Sequence, residues 1–268
     1  MTRLVHLSDL HFGKDRPDLL QPLTDAVNDL SPDLVVISGD LTQRAREREY
    51  RAAARFIDGL ASPVLSVPGN HDIPIHRPFR RFFRPWGSYR KMIAPDLTPR
   101  FETDEAIVIG INTVDRFRWQ TGRMSRGRIR HACAAMGDSA GDRARILVAH
   151  HPLEHPKRTK KKPIPGAQQA LHQLLGCGAD MILSGHLHVW HTGTFAHTTT
   201  REYGKAIQIH AGTSLSSRVR GEPNDFNLIE ISQEHFDITR ISYEDETTGF
   251  QRAEARRFDR ASGMFVNA

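Results

Sequence analysis

Five short motifs carry the side chains that could do chemistry: Asp9-Leu10-His11, Gly39-Asp40, Gly69-Asn70-His71-Asp72, His150-His151 and Gly185-His186-Leu187-His188. Together they supply carboxylate, amide-oxygen and imidazole donors and no thiolate. That set suits Mn, Fe, Zn or related divalent ions and argues against a structural zinc site. Two such ions about 3.5–4 Å apart form a clamp for in-line displacement at phosphorus. Each motif alone is weak evidence, because Asp-x-His and Gly-Asp are common in turns. Histidine abundance also proves nothing, since the chain has 15. The information lies in the order of all five, each behind a predicted strand.

The elements that must position them alternate in the first half. Arg3–Ser8 reads as a short apolar strand and Asp33–Ser38, containing Leu-Val-Val-Ile, as a buried one. Val64–Val67 is a third strand. Between them, 17–30 and 46–60 carry apolar residues at helical spacing. Ala106–Asn112, Arg145–Ala149 and Asp180–Ser184 read as core strands, with helices over 125–136 and 166–175. After residue 186, 189–196, 205–210, 226–231 and 236–243 look like successive strands, the pattern of antiparallel pairing on one flank of a mixed sheet. The class is α/β, with two packed mixed sheets flanked by helices. Sites in such folds gather beyond the carboxyl ends of strands. In Asp9-x-His11 and His186-x-His188 the spacing of two puts both side chains on one side of an extended segment. Because the motifs run from residue 9 to residue 188, residues 1–243 are expected to form one domain. The polar residues 244–268 are expected to be a loosely held extension.

The 268 residues suffice for one well-buried core, and the formal charge of +6 favours anionic partners. No apolar run is long enough to cross a bilayer, and no charged-then-apolar leader opens the sequence. The expected compartment is the cytoplasm. Cys133 and Cys177 fall in no metal pattern and are expected to be reduced thiols, a disulfide requiring an oxidising compartment.

The pattern closely resembles the calcineurin-like metallophosphoesterase superfamily over residues 3–242, and within it the small bacterial branch containing class III 3′,5′-cyclic nucleotide phosphodiesterases. The resemblance implies a four-layer α-β-β-α sandwich and two divalent ions (Mn, Fe, Zn or a mixed pair). Asp9, His11 and His188 would hold the first ion and Asn70, His150 and His186 the second, with Asp40 bridging. A hydroxide between the ions would be the nucleophile, and His71 would serve the leaving oxygen. Three departures narrow the branch. Gln43 stands where protein phosphatases have an aspartate and purple acid phosphatases a tyrosine. His11 replaces the glycine of the latter's first motif. The chain is too short for the capping domain of double-strand-break nucleases. The lead substrate class is 3′,5′-cyclic nucleotides. The alternatives are a UDP-2,3-diacylglucosamine pyrophosphatase-like hydrolase, whose family typically has arginine in place of His71, and a nuclease-type phosphodiesterase, for which no nucleic-acid module is recognisable.

Candidate substrate contacts are His151, Arg81, Tyr89 and Arg220. Residues 76–91 hold basic and aromatic side chains and no acid. They suit a stacked base beside a neutralised phosphate, or a peripheral contact at the inner membrane face. Equally, Phe79, Phe82, Phe83 and Trp86 at spacings of three and four suit inward packing. The basic run 156–163 reads as a solvated charge run, with steering of an anionic substrate as its functional alternative. The segment Gly212-Thr213-Ser214 with Arg218, Arg220 and Asn224 reads as a polar loop that could border the pocket.

Overall fold

Period-two alternation within the strands decides the architecture. In Thr2–Leu7 (β1), Leu4 faces one core cluster while Val5 and Leu7 face another. In Leu34–Ile37 (β2), Leu34 and Val36 go one way and Val35 and Ile37 the other. A strand buried on both faces must lie in the middle of a layered stack. The computed structural model describes residues 1–137, 141–155, 159, 161–195 and 206–266.

The first helix, α1, spans Leu20–Asp29 after a single 3₁₀ turn that Pro17 opens. It is followed by α2 (Glu47–Asp58), β3 (Val64–Ser66) and two short helices, α3 (Pro78–Phe83) and α4 (Gly87–Met92). Then come β4 (Arg100–Glu102), β5 (Ala106–Ile111), α5 (Arg126–Met136), β6 (Ala144–Ala149), α6 (Ala167–Gly176) and β7 (Met181–Ser184). The chain continues through β8 (His191–Thr194), β9 (Ile207–His210), β10 (Asp225–Ile231), β11 (His235–Tyr243), β12 (Phe250–Asp259) and β13 (Phe265–Val266).

One sheet has the order β13-β12-β11-β10-β1-β2-β3, and the other β4-β5-β6-β7-β9-β8. In the first, β1, β2 and β3 are parallel, and β10 joins β1 antiparallel. In the second, β5, β6, β7 and β9 are parallel between antiparallel edges. Leu4, Val36 and Ile229 of one sheet meet Val108, Val148 and Leu183 of the other in a central core. The outer face of the first sheet packs on α1, α2 and α4, and that of the second on α5 and α6. The four-layer α-β-β-α expectation therefore holds. No described helix is long and apolar enough to cross a membrane.

Three expectations need correction. Residues 250–259 are not a loose tail: β12 pairs with β11 from Phe250↔Tyr243 to Asp259↔His235. Only Phe258 of this strand is buried, so its outward polar residues hid it in the sequence. The stretch 76–91 does not pack its aromatics inward as a set. Phe79, Phe82 and Phe83 are exposed, whereas Trp86 and Tyr89 pack on the core. The cysteines are not free: Cys133 of α5 and Cys177 just after α6 form a disulfide, with Cα atoms 5.4 Å apart. The side-by-side packing of the two helices brings them together, and no sequence motif records that contact. Of the other expected segments, residues 156–158, 160, 196, 205 and 267–268 lie outside the described residues.

Closing a 44-residue separation restricts the unfolded chain and contributes on the order of 2–4 kcal/mol. Thermal denaturation with and without reductant, and of Cys133→Ser, is expected to show that loss. An unchanged midpoint would contradict it.

Candidate metal centre

All five motifs follow the carboxyl ends of parallel strands: Asp9 after β1, Asp40 after β2, Asn70 after β3, His150 after β6 and His186 after β7. Backbone hydrogen bonds join the turns. Asp9 N–H donates to the Gly39 carbonyl at 3.1 Å and His11 N–H to that of Asp40 at 2.9 Å. Within the second sheet Gly185 N–H donates to the His150 carbonyl at 3.2 Å, and across the sheets His186 N–H donates to Asp9 Oδ2 at 2.8 Å. The site thus straddles the interface between the two sheets.

The turns are sharp enough to force non-glycine residues into left-handed backbone. Asp9, His11, Asp40, His186 and His188 have φ of 52°, 50°, 53°, 70° and 58°. Each such residue costs about 1–2 kcal/mol, and strain of this kind concentrates where side chains must be aimed. The glycines permit close approach. A Cβ on Gly69 would stand 2.2 Å from both Asp40 N and Asp40 Oδ1, and one on Gly185 1.8 Å from Ser8 Oγ.

The side chains converge in two groups. Asp9, His11 and His188 offer ligand atoms within 4.8 Å of one another, as do His150, His151 and His186, and Asp40 joins both neighbourhoods. Asp9 Oδ1 lies 3.1 Å from His188 Nε2 and 3.5 Å from His11 Nε2. Asp40 Oδ2 lies 3.3 Å from His150 Nε2 and 3.7 Å from His11 Nε2. Asn70 Oδ1 is 3.2 Å from His150 Nε2, which is 3.3 Å from His186 Nδ1. His150 Nδ1–H donates to the Ser38 carbonyl at 2.9 Å and His188 Nδ1–H to that of Arg218 at 3.0 Å. With Nδ1 so engaged, each ring turns its Nε2 inward, the usual arrangement around a metal. Asp9 Oδ1 is buried with no hydrogen-bond donor. An acceptor-only oxygen beside bare imidazole nitrogens fits a cation, so the donor set suits two divalent ions.

Electrostatics says the same. Burial alone would raise the carboxyls of Asp9 and Asp40, but the surrounding imidazoles outweigh it and hold both well below the usual range. Burial would lower His150, yet Asp40 and Asp9 push it up to about 9. Burial and the neighbouring rings push His186 and His151 well down. Two carboxylates are thus kept ionised in a buried cluster of imidazoles.

His71 sits at the rim. Its N–H donates to Asp40 Oδ1 at 2.8 Å, and its Nδ1–H donates to the Gln43 carbonyl at 2.7 Å. Its Nε2 faces Arg218 Nη1 at 3.4 Å. Of the expected substrate contacts, His151 is at the centre. Its ring is 4.9 Å from that of His150, Nδ1 is tied to Thr113 Oγ1 at 2.8 Å, and Nε2 is buried without a partner. Arg220 is exposed, near enough to Lys161 to influence its charge. Two others are placed elsewhere. Tyr89 is buried in the first sheet's outer core, its hydroxyl 2.7 Å from Ser66 Oγ. The Arg81 guanidinium is consumed by the carbonyls of Arg116 and Arg118, at 2.8 and 2.9 Å. Aromatic and basic residues were read by type alone, and their helices turn these two away from the centre.

Four residues to which the sequence assigns no individual role support the site. Ser8 Oγ donates to Asp9 Oδ2, and Thr213 Oγ1 to the Asp9 carbonyl, at 2.7 and 2.8 Å. Lys161 Nζ donates to the His186 carbonyl, and burial lowers it to about 8 against the pull of Asp9. Nothing singled it out within its basic run. Asp72 is the fourth. Its carboxylate accepts the backbone N–H groups of Leu41, Thr42 and Gly69, at 3.1, 2.8 and 2.9 Å, and the Thr42 hydroxyl. Burial and Asp40 push it up to about 7. Its place in Gly-Asn-His-Asp was the available signal.

Imidazoles and carboxylates facing each other across two sheets fit a metal-dependent hydrolase. The chain belongs to the calcineurin-like phosphoesterase family, whose model matches residues 2–190. A glycerophosphodiester phosphodiesterase, GpdQ, of Enterobacter lignolyticus is 36% identical over 80 residues, covering 26% of this chain and 29% of that protein. A probable cyclic nucleotide phosphodiesterase, RPA0124, of Rhodopseudomonas palustris is 25% identical over 165 residues, 56% of this chain and 57% of that protein. The chain spans less than two thirds of either relative. Among solved structures, GAP50 of Plasmodium superposes with a TM-score of 0.61 at 14% identity, covering 94% of this chain and 88% of that one, a likeness of fold.

Asp72→Ala leaves three buried N–H groups without an acceptor, a cost on the order of 3 kcal/mol. The variant is expected to lose both stability and metal affinity although Asp72 touches no ion. Full metal affinity in a folded Asp72→Ala protein would contradict this role.

Proposed function

We propose that the protein is a dinuclear-metal phosphodiesterase, with 3′,5′-cyclic nucleotides as its lead substrates. The observation carrying this reading is Asp40 standing in both ligand neighbourhoods, with Oδ2 3.3 Å from His150 Nε2 and 3.7 Å from His11 Nε2. Asp9, His11 and His188 would hold one ion, Asn70, His150 and His186 the other, and Asp40 both. When bound, the pair activates water at neutral pH and neutralises phosphoryl charge.

The chain's own groups do the rest. His71, fixed by its Nδ1–H bond to Gln43, presents Nε2 where it can carry a proton to a departing oxygen. Arg218 beside that nitrogen and Lys161 on the His186 carbonyl place fixed positive charge on two sides of the centre. His151, with its unpartnered Nε2, is the remaining polar contact for substrate. Arg220, exposed near Lys161, extends the basic rim. The two phosphodiesterase relatives favour diesters. We assign the cytoplasm as compartment, where the Cys133–Cys177 bond would stand exposed to reduction.

A turnover screen with Mn added tests the reading, using cyclic AMP, bis(p-nitrophenyl) phosphate, UDP-diacylglucosamine and p-nitrophenyl phosphate. Diesters are expected to turn over best, and preference for the monoester would sink the assignment. His71→Ala is expected to retain metal and lose about 10²–10⁴-fold in kcat on cyclic AMP. It should lose much less on bis(p-nitrophenyl) phosphate, whose leaving group needs no proton. Equal losses on both would remove His71 as proton carrier.

A further inference from the structure

Five large aromatic side chains stand in solvent on one side of the molecule. Phe79, Phe83, Phe117 and Trp119 are 75%, 69%, 68% and 54% exposed, and Phe82 joins them. They come from two segments separated in sequence, α3 and the loop 115–119. The segments are braced: Arg81 bonds the carbonyls of Arg116 and Arg118, and Arg116 Nη1 donates to the Phe82 carbonyl at 2.7 Å. The Phe79 and Phe83 rings lie 4.6 Å apart, and those of Phe82 and Phe117 5.6 Å. An apolar patch held rigid in water marks a contact surface.

The surroundings say what it contacts. Residues 73–95 contain no acidic side chain. On the flank of α3 opens a cleft of about 830 Å³ lined by Arg44, Arg48, Arg77, Arg80, Arg84 and Lys91. Its one acid, Glu47, is already paired with Arg51 at 2.6 Å. Arg116 lies over the Phe117 ring, 4.9 Å from its centroid.

We propose that this two-segment surface docks on an anionic lipid bilayer, with the aromatics in the interface and the arginine cleft on lipid phosphates. Clustered apolar rings ringed by basic residues have this affinity, which rises with buried apolar area and with negative lipid charge. A single-stranded nucleic acid fits less well: neighbouring phenylalanines already pack on one another and leave no slot between them for a base. The surface lies beside the metal centre. Gly122, three residues beyond Trp119, packs so closely on His151 that a Cβ there would stand 2.7 Å from Nδ1. Docking would therefore bring the site next to the membrane. The proposal goes beyond the assigned hydrolysis and does not depend on which diester is cleaved.

Vesicle co-sedimentation of the full chain tests it, with phosphatidylcholine alone and with added phosphatidylglycerol. The variants are Phe79→Ser/Phe83→Ser and Arg80→Glu/Arg84→Glu. None of these residues belongs to the centre, so hydrolysis of bis(p-nitrophenyl) phosphate is expected to be unchanged and reports folding. The protein is expected to pellet with the anionic vesicles at least tenfold more than with the neutral ones. Either variant is expected to lose that binding. No binding to anionic vesicles, or full binding by both active variants, would overturn the proposal. So would tighter binding to single-stranded DNA than to vesicles, or a dimer in sedimentation velocity that the phenylalanine variant abolishes.

Discussion

Two carboxylates, Asp9 and Asp40, are held out of water among imidazoles where the edges of two sheets meet. Buried charge is tolerated only when it is met by opposite charge, and here the rings and the ions they fit supply it. The neighbouring structure is arranged to keep these groups together. Strands from both sheets end at the same level, and their turns are tied by backbone bonds. The nitrogen of each ring not facing the centre is anchored where a carbonyl is within reach, as with His150 on Ser38 and His188 on Arg218.

The cost of that arrangement is local. Five residues of the centre adopt left-handed backbone, which chains avoid without reason. The strain is sustained because the two sheets share a large core, in which the strands leading to these turns bury all their apolar side chains. Asp72 offsets part of it by collecting three N–H groups from the Asp40 and Asn70 turns. A carboxylate that binds no substrate thus decides whether two ligand loops stay in register. Gly69 serves the same end by having no side chain where Asp40 must pass.

The metal motifs were legible because each is local: two to four adjacent residues after an apolar strand. The layered fold was legible for a similar reason, since alternation in Leu4-Val5 or Leu34-Val35 records two buried faces within a few residues. What stayed hidden depends on distant partners. Cys133 and Cys177 meet only because α5 packs on α6. β12 hides because its outward residues are polar and its pairing with β11 leaves no periodic apolar face. Tyr89 and Arg81 have the chemistry of substrate contacts, but helix orientation sends one into the core and the other onto the 115–119 loop. Arg218 and Lys161 reach the centre from loops whose path no local pattern fixes.

The central claim is that a single carboxylate, Asp40, serves two cations at once. Metal analysis of the purified protein and of Asp40→Ala, with anomalous scattering to place the ions, tests it most directly. The account predicts two ions per chain in the protein, one on each side of Asp40, and a loss of both affinities in a variant that still folds. Two ions retained by folded Asp40→Ala, or a single ion bound away from Asp40 in the protein itself, would contradict it.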